Sequence, residues 1–590
     1  MMHKGVRSLL VMLCGVLLLA TPVIQSGDRA QLLAQSGNVK LNHNLINGAD
    51  VQDGYTISPD GSRVVYLARE GSRTNLYSVP VGGGTAVRLN AQLPDNRFVS
   101  AYKISPNSQR VVYLANQERF DSVEMYSVPI TGGGNVTKLN PLLPDGSDVS
   151  VFDITPNSQR VIYIANASTN SKREIYSVTI LGGNSIKLNE TPVAGGDVAQ
   201  FEISPNGLFV VYSGDIEINN QFDLYRAPIA GGPVSQMTEM REFGDFGYSV
   251  VDFVITDDND TVVFLANEDT FFDRDELFSV PFLAGPGGPV TKLSNTPPEF
   301  GDVAPDWQVT PSSDGVVYRA DMVTDNIFEL YAVPIAANAV VKLSDPLVQG
   351  GSVSGFSISP NSLNTVYRAD QDTDNVTELY SVTLNGVTKL NAPLSGGGNV
   401  TDHKITPNSQ RVIYNAFQFS PLQYGLYSVP ITGGTATLLN NPPVQNRSIR
   451  DFQITLNGNT VVYSVQADNI YRVPVTGGSA PVQMNGNLVS GGGIQNFQLS
   501  PDGTRVVYLA DQDTDNVFEL YSVAIDGAVS LAQFDVNGDG IISPADSIEV
   551  INRIGQTVND GNRAADVDGN GSINNIDANL VIQRIGQRVN

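Results

Sequence analysis

Ile57-Ser-Pro-Asp-Gly-Ser-Arg-Val-Val-Tyr-Leu-Ala68 is the phrase on which the fold turns, and it returns closely as Leu499-Ser-Pro-Asp-Gly-Thr-Arg-Val-Val-Tyr-Leu-Ala510. Looser copies fill the chain between them. The apolar residue that opens the phrase stands at Ile57, Ile104, Ile154, Ile203, Ile255, Val309, Ile358, Ile405, Ile454 and Leu499, at steps of 45 to 54 residues. After seven of the ten anchors comes a Pro-Asn/Asp-Ser/Gly turn, and after all ten versions of Arg-Val-Val-Tyr, Leu-Tyr-Ser-Val-Pro and Val-Thr-Lys-Leu-Asn. Each unit therefore holds four short runs of β-branched and aromatic residues divided by turn residues. In the second unit the runs are Ala101–Ser105, Arg110–Ala115, Glu124–Pro129 and Val136–Leu139. No helical period intrudes.

Four antiparallel strands in a repeat of this length describe one blade of a β-propeller. The expected fold is all-β, with about ten four-stranded blades between residues 39 and 531. One ring of ten is the first expectation and two five-bladed rings the second, because no linker-like gap separates any two anchors. Asn38–Asn42 copies the end of a blade and would close the ring as the outer strand of the last one; Val529–Leu531 is the rival for that place. Aromatics at Tyr66, Tyr113, Tyr163 and their equivalents hold one register in the second strand, and Tyr77, Tyr126, Tyr176 and theirs another in the third. A residue demanded by every blade reads as inter-blade packing rather than as a sugar platform. The phrase resembles the TolB-like, WD-repeat-like propellers over about five-sixths of the chain. That resemblance implies the fold and says little of function.

The first 26 residues read as a secretory signal, with Lys4 and Arg7 before the apolar run Ser8–Ala20, and residues 27–38 as a linker. The run is short for a membrane span, and no later segment approaches one, so the expected address is extracellular or the surface of a bacterial cell. Cys14, inside the leader, is the only cysteine, so disulfides cannot hold the mature protein together. Loss of the leader takes the net charge from −25 to −27, which argues against nucleic acid as a partner.

Residues 535–590 carry two 12-residue loops 31 positions apart, Asp535–Asp546 and Asp566–Asp577. Oxygen-bearing side chains stand at loop positions 1, 3, 5, 9 and 12, and Gly540 and Gly571 at position 6, the spacing that wraps a hard cation. The predicted ligands are Asp535, Asn537, Asp539, Ser543 and Asp546 in the first loop and Asp566, Asp568, Asn570, Asn574 and Asp577 in the second. Ile541 and Ser572 would add backbone carbonyls at position 7. Three carboxylates per loop repel one another until a cation joins them, so two calcium ions are expected, with binding coupled to folding. Each loop leads into the same helix phrase, Val550–Gln556 and Val581–Gln587.

This tandem resembles a type I dockerin, a small helical module with two EF-hand-like calcium loops that plugs secreted bacterial proteins into cohesin-bearing partners. Asp at position 12, where an EF-hand has Glu, agrees with that family. The resemblance implies that positions 10 and 11, here Pro544-Ala545 and Asn575-Ile576, help to choose the partner. The two pairs differ from each other and from the usual Ser-Thr-like pair, so a symmetric two-way binding mode is not expected. The partner would be a cohesin-like protein or a cell-envelope component.

Catalytic signals are sparse. No His-Glu-x-x-His or Gly-x-Ser-x-Gly motif appears, and His43 and His403 are the only histidines beyond the leader. His403 reads as a pore-side or turn residue. The acidic runs Asp321–Glu329, Asp370–Glu378 and Asp511–Glu519 read first as solvated turns and second as calcium loops. The leading expectation is a scaffold or recognition protein whose propeller binds a protein or polysaccharide. The alternative is a carbohydrate-active enzyme, a glycoside hydrolase or lyase, or an accessory factor in extracellular polysaccharide degradation; paired acids for hydrolysis of O-glycosyl bonds need only meet in space.

Overall fold

The computed structural model describes residues 38–525, apart from 46–48, 167–171, 240–247, 269–273, 286, 296–300, 338, 395–396, 419–422, 441–443, 446 and 467. Further on it describes residues 536, 544–553, 556 and 565. The propeller is one ring of ten antiparallel blades, each with four strands running from the pore to the rim. In blade 2 these are Val99–Ile104, Arg110–Arg119, Ser122–Pro129 and Thr137–Lys138. The second and third strands run further toward their shared hairpin than the sequence implies, and Arg119 pairs with Ser122. In blade 8 the segment Val444–Gln445 also pairs with the third strand.

Ten apolar clusters fill ten junctions, and this establishes a single ring. Val65, Leu76 and Leu89 of blade 1 pack on Val99, Tyr113 and Tyr126 of blade 2. The same pattern joins blades 5 and 6, where two separate five-bladed rings would have parted. Val507, Leu509 and Leu520 of blade 10 pack on Val51, Tyr55 and Tyr66 of blade 1. The paired aromatics lie directly opposite each other on the second and third strands. They stack at 5.2–5.7 Å in all ten blades. They belong to the junction cores, as their repetition implies.

Each piece of the repeated phrase has a physical task. The turn serine of Pro106-Asn107-Ser108 has a φ of 58°, and its hydroxyl accepts the Asp60 N–H of the preceding blade at 3.0 Å. Ser158 does the same for Asn107, also at 3.0 Å. Arg110 Nε donates to Ser127 at 2.8 Å, tying the second strand to the third. The Lys-Leu-Asn ending completes the rim. Lys138 lies 2.6 Å from the buried Glu124, Leu139 is buried, and Asn140 Oδ1 accepts the Met125 N–H at 2.7 Å. The asparagine side chain thus continues a ladder that the short outer strand has left.

Ring closure uses the N-terminal copy of that ending. Val39–Lys40 pairs with Ser522 and Tyr521 on the third strand of blade 10. Leu41 N–H donates to the Leu520 carbonyl, and Asn42 Oδ1 accepts the Leu520 N–H, both at 2.8 Å. Lys40 pairs with Glu519. The rival segment Val529–Leu531 lies outside the described residues.

Candidate functional site

Innermost strands carry the residues nearest the pore. In eight blades this strand has a bulge, as between Val99 and Ala101, which bends the strand and breaks its regular ladder. Side chains then bridge neighbouring blades. Gln453 Nε2 donates to the Phe497 carbonyl and Gln498 Nε2 to the Tyr55 carbonyl, each at 2.9 Å. Lys404 reaches the Phe452 carbonyl at 2.6 Å and Asp451 at 3.1 Å. Lys103 pairs with Asp153 at 3.0 Å. These polar groups are committed to holding the ring.

Glu202 belongs to the same girdle and accepts the Ile255 N–H at 2.8 Å. Burial pushes its carboxyl up to about 7; the Ile255 bond opposes the rise, and the Asp252 and Asp257 charges add to it. A carboxyl whose folded pKa exceeds its unfolded one binds its proton more tightly in the fold. Its contribution favours the fold at low pH and is lost as pH rises from about 4.5 through about 7. Glu202→Gln is therefore expected to flatten the fall in stability across that window and to raise the melting temperature at pH 8. Parallel pH-dependent melts of the two proteins would check this.

The acidic turns are structural. Asp511 Oδ1 accepts the Gly493 N–H at 2.6 Å and Oδ2 the Asn516 N–H at 3.0 Å. Asp370 joins Ser352 and Asn375 in the same way, at 2.5 and 3.2 Å. Asn326, Asn375 and Asn516 have φ of 61–63°, the left-handed conformation a glycine would otherwise supply. Among the described residues no group of three His, Cys, Asp or Glu is placed to hold a metal ion. Asp511→Ala should cost about 1–2 kcal/mol by leaving the Gly493 and Asn516 N–H groups, bonded at a partly buried turn, without their acceptor. The exposed Asp513→Ala should cost about 0.5 kcal/mol or less. Chemical denaturation of the two variants separates these outcomes.

Both histidines have structural surroundings. His43 Nε2 is 2.7 Å from Glu70 Oε1, and its ring lies 4.4 Å from that of Tyr77. Tyr77 and Asn75 also donate to Glu70, at 2.9 and 2.8 Å. Burial works to raise the Glu70 carboxyl, but these hydrogen bonds and His43 outweigh it and hold it below its ordinary value. Glu70 thus supplies blade 1 with the carboxylate that Glu124 gives blade 2.

His403 is neither a pore nor a turn residue. It lies on the innermost strand of blade 8 opposite Tyr414, 6% exposed, where its counterparts are Tyr55, Tyr102, Phe152, Phe201, Phe253, Trp307, Phe356, Phe452 and Phe497. Facing it is Arg368 of blade 7, at a position held by Leu67, Leu114, Ile164, Leu265 and Leu509 in five blades and by Ser213, Arg319, Asn415 and Ser464 in the other four. The sequence reading passed over Arg368; an arginine at a register otherwise apolar in five blades, shared with Arg319 of blade 6, was the available signal.

Of the predicted calcium ligands, Asp546 alone has a described side chain. It is buried in the first turn of the helix Pro544–Ile551. That helix starts earlier than the phrase at Val550, with Pro544 in the first turn, where its missing N–H costs no helical bond. An acidic side chain there is favoured by the helix dipole, and a buried carboxylate at loop position 12 suits a cation ligand. Pro544 and Ala545 form the helix start. Asp535, Asn537, Asp539, Ile541, Ser543, Asp566, Asp568, Asn570, Ser572, Asn574 and Asp577 lie outside the described residues, as do Asn575 and Ile576. Among the described residues no helix is long and apolar enough to cross a membrane.

A search of curated proteins finds no match. The chain is similar to a solved structure described as TolB from Agrobacterium tumefaciens, with 19% identity over 42% of this chain and 80% of that one and a TM-score of 0.26. Residues 533–586 match the dockerin type I domain family, whose members bind calcium and dock to cohesin-type partners. The chain is a ten-bladed β-propeller that carries a dockerin type I domain.

Proposed function

We propose that this is a secreted recognition protein, fastened through its dockerin to a cohesin-like partner while the propeller holds a protein or polysaccharide. The observation that carries the reading is the dockerin match at residues 533–586 in a chain whose body is a closed ring. In this reading each of the two 12-residue loops holds one calcium ion through the oxygens at positions 1, 3, 5, 7, 9 and 12. Pro544, Ala545, Asn575 and Ile576 form part of the partner surface. Binding rather than catalysis is supported by the commitment of pore-side Gln453, Gln498, Lys404 and Lys103 to bonds between blades. A ring with many loops at either end suits recognition.

The test uses the full chain and a chain ending at residue 531, each immobilised and exposed to cohesin domains from the producing bacterium. Retention by the full chain alone, reversed by chelator, supports the reading. Equal retention by both, or by neither in the presence of calcium, rejects it.

A further inference from the structure

Blade 2 breaks the repeat at the entry to its innermost strand. In seven other blades the residue just before that strand is small and polar: Asp50, Asp148, Asp197, Ser249, Asp302, Ser352 or Asn399. Its side-chain oxygen accepts a backbone N–H of the preceding blade. Ser448 and Gly493 hold the same register in blades 9 and 10. Blade 2 has Phe98 there. The Thr74 N–H of blade 1, which a cap would have received, turns instead to the Arg97 carbonyl at 3.3 Å. Asn116 grips the Phe98 backbone from both sides: its Oδ1 accepts the Phe98 N–H at 2.8 Å, and its own N–H reaches the Phe98 carbonyl at 3.3 Å. The phenyl ring takes no part in these bonds and is 40% exposed.

Phe120 is the second departure. It stands at the tip of the hairpin closed by Arg119 and Ser122 and is 68% exposed. The Arg97 guanidinium lies over it, 5.3 Å from the ring centre, and Nη1 donates to the Asn116 carbonyl at 3.0 Å. Phe98 and Phe120 are the only exposed aromatic side chains among the described residues, and Arg97 links them. Both lie at the end of the propeller where second and third strands meet in hairpins, since Val99 pairs with Ala115. The chain leaves for the dockerin at the other end: Glu519 pairs with Ala510 near the hairpin, but Ala524 pairs with Arg505 at the far side. The phenyl groups therefore face away from the tether. A structural cap replaced by an aromatic group left in water marks an interaction site.

Size and charge select the occupant. Two phenyl groups of about 200 Å² each, both partly covered, fall well short of the roughly 800 Å² that a stable protein interface buries per partner. They suit one or two sugar rings, whose C–H groups meet the negative faces of the aromatics. The free edge of the Arg97 fork offers donors to hydroxyl groups. Around it Arg73 is paired with Asp95 and Arg119 with Asp145, so no cationic surplus draws an acidic polymer to a chain of net charge −25. We propose that Phe98, Arg97 and Phe120 form a platform for a neutral polysaccharide at the end of the propeller away from the dockerin. This rests on the reading of the propeller as the part that holds a ligand, and names the ligand class and the place.

The experiment runs the full-length protein, Phe98→Asp and Phe120→Ala on native gels containing a mixed-linkage β-glucan, an arabinoxylan, a galactomannan or polygalacturonate. Phe98→Asp restores the cap used by other blades, and thermal melts of both variants should match the wild type. The expected result is retardation of the wild type by at least one neutral polymer, with Kd raised about tenfold or more in each variant. Retardation by polygalacturonate alone overturns the proposal, as does the absence of retardation by every neutral polymer. Retardation that either variant keeps in full also overturns it, while leaving intact the reading of a propeller that holds a polysaccharide. Cohesin capture on the same preparation tests the dockerin separately.

Discussion

Deleting residues 38–42 while keeping residues 1–37 is expected to open the ring and to lower the melting temperature by ten degrees or more, or to render the protein insoluble. Three losses combine. Leu41 is 1% exposed, and truncating a buried leucine costs about 2–5 kcal/mol. Asn42 accepts the Leu520 N–H, and leaving that donor unmet costs about 1–3 kcal/mol. Lys40 pairs with the buried Glu519, and removing one partner of a buried pair costs about 3–5 kcal/mol; a Lys40 side chain 34% exposed places this at or below the lower end. Typical folds have about 5–15 kcal/mol in all. The deletion also leaves Glu519–Ala524 as an unpaired edge, a template for association with another chain. Thermal denaturation with size-exclusion chromatography checks this. An unchanged, monomeric variant would mean that a segment such as Val529–Leu531 can close the ring instead.

Chelating calcium is expected to abolish partner capture while leaving the melting of the propeller unchanged. Each dockerin loop gathers three carboxylates, Asp535, Asp539 and Asp546 in the first and Asp566, Asp568 and Asp577 in the second. Their mutual repulsion opposes folding until a cation offsets it. No such effect is expected of the described acidic turns of the propeller, where Asp370 and Asp511 accept backbone N–H groups. Asp535→Ala with Asp566→Ala should lower partner affinity by about a hundredfold or more, a loss near 3 kcal/mol. Calcium titration by calorimetry and capture on immobilised cohesin measure the two effects. Full calcium uptake in the double variant would refute the loop assignment.

Much of the fold was legible because the repeat states it ten times. The anchors, the stacked aromatics and the Lys-Leu-Asn endings stand at fixed registers, and each demand is local or reaches one blade away. The strand ends of blade 2 were less legible, since hairpin length depends on pairs such as Arg119 with Ser122. The acidic turns were half legible. Their residues showed the asparagine in place of glycine, but not that Asp370 would spend both oxygens on backbone donors. His403 was misplaced because a single histidine carries no signal until it is aligned on the aromatics of the other blades.

The sequence by itself determined the blade count, the strand pattern and the register of the tyrosines. These follow from alternation and turn chemistry within a few residues, repeated until no other reading fits. It also marked the paired 12-residue loops, because a metal-wrapping loop is written in consecutive positions. Only the tertiary structure decided that one ring forms, that Val39–Lys40 closes it against Tyr521 and Ser522, and that His403 meets Arg368. Those outcomes rest on partners tens to hundreds of residues apart, brought together by ring closure, and no local pattern encodes which of two competing segments or which two odd residues will meet.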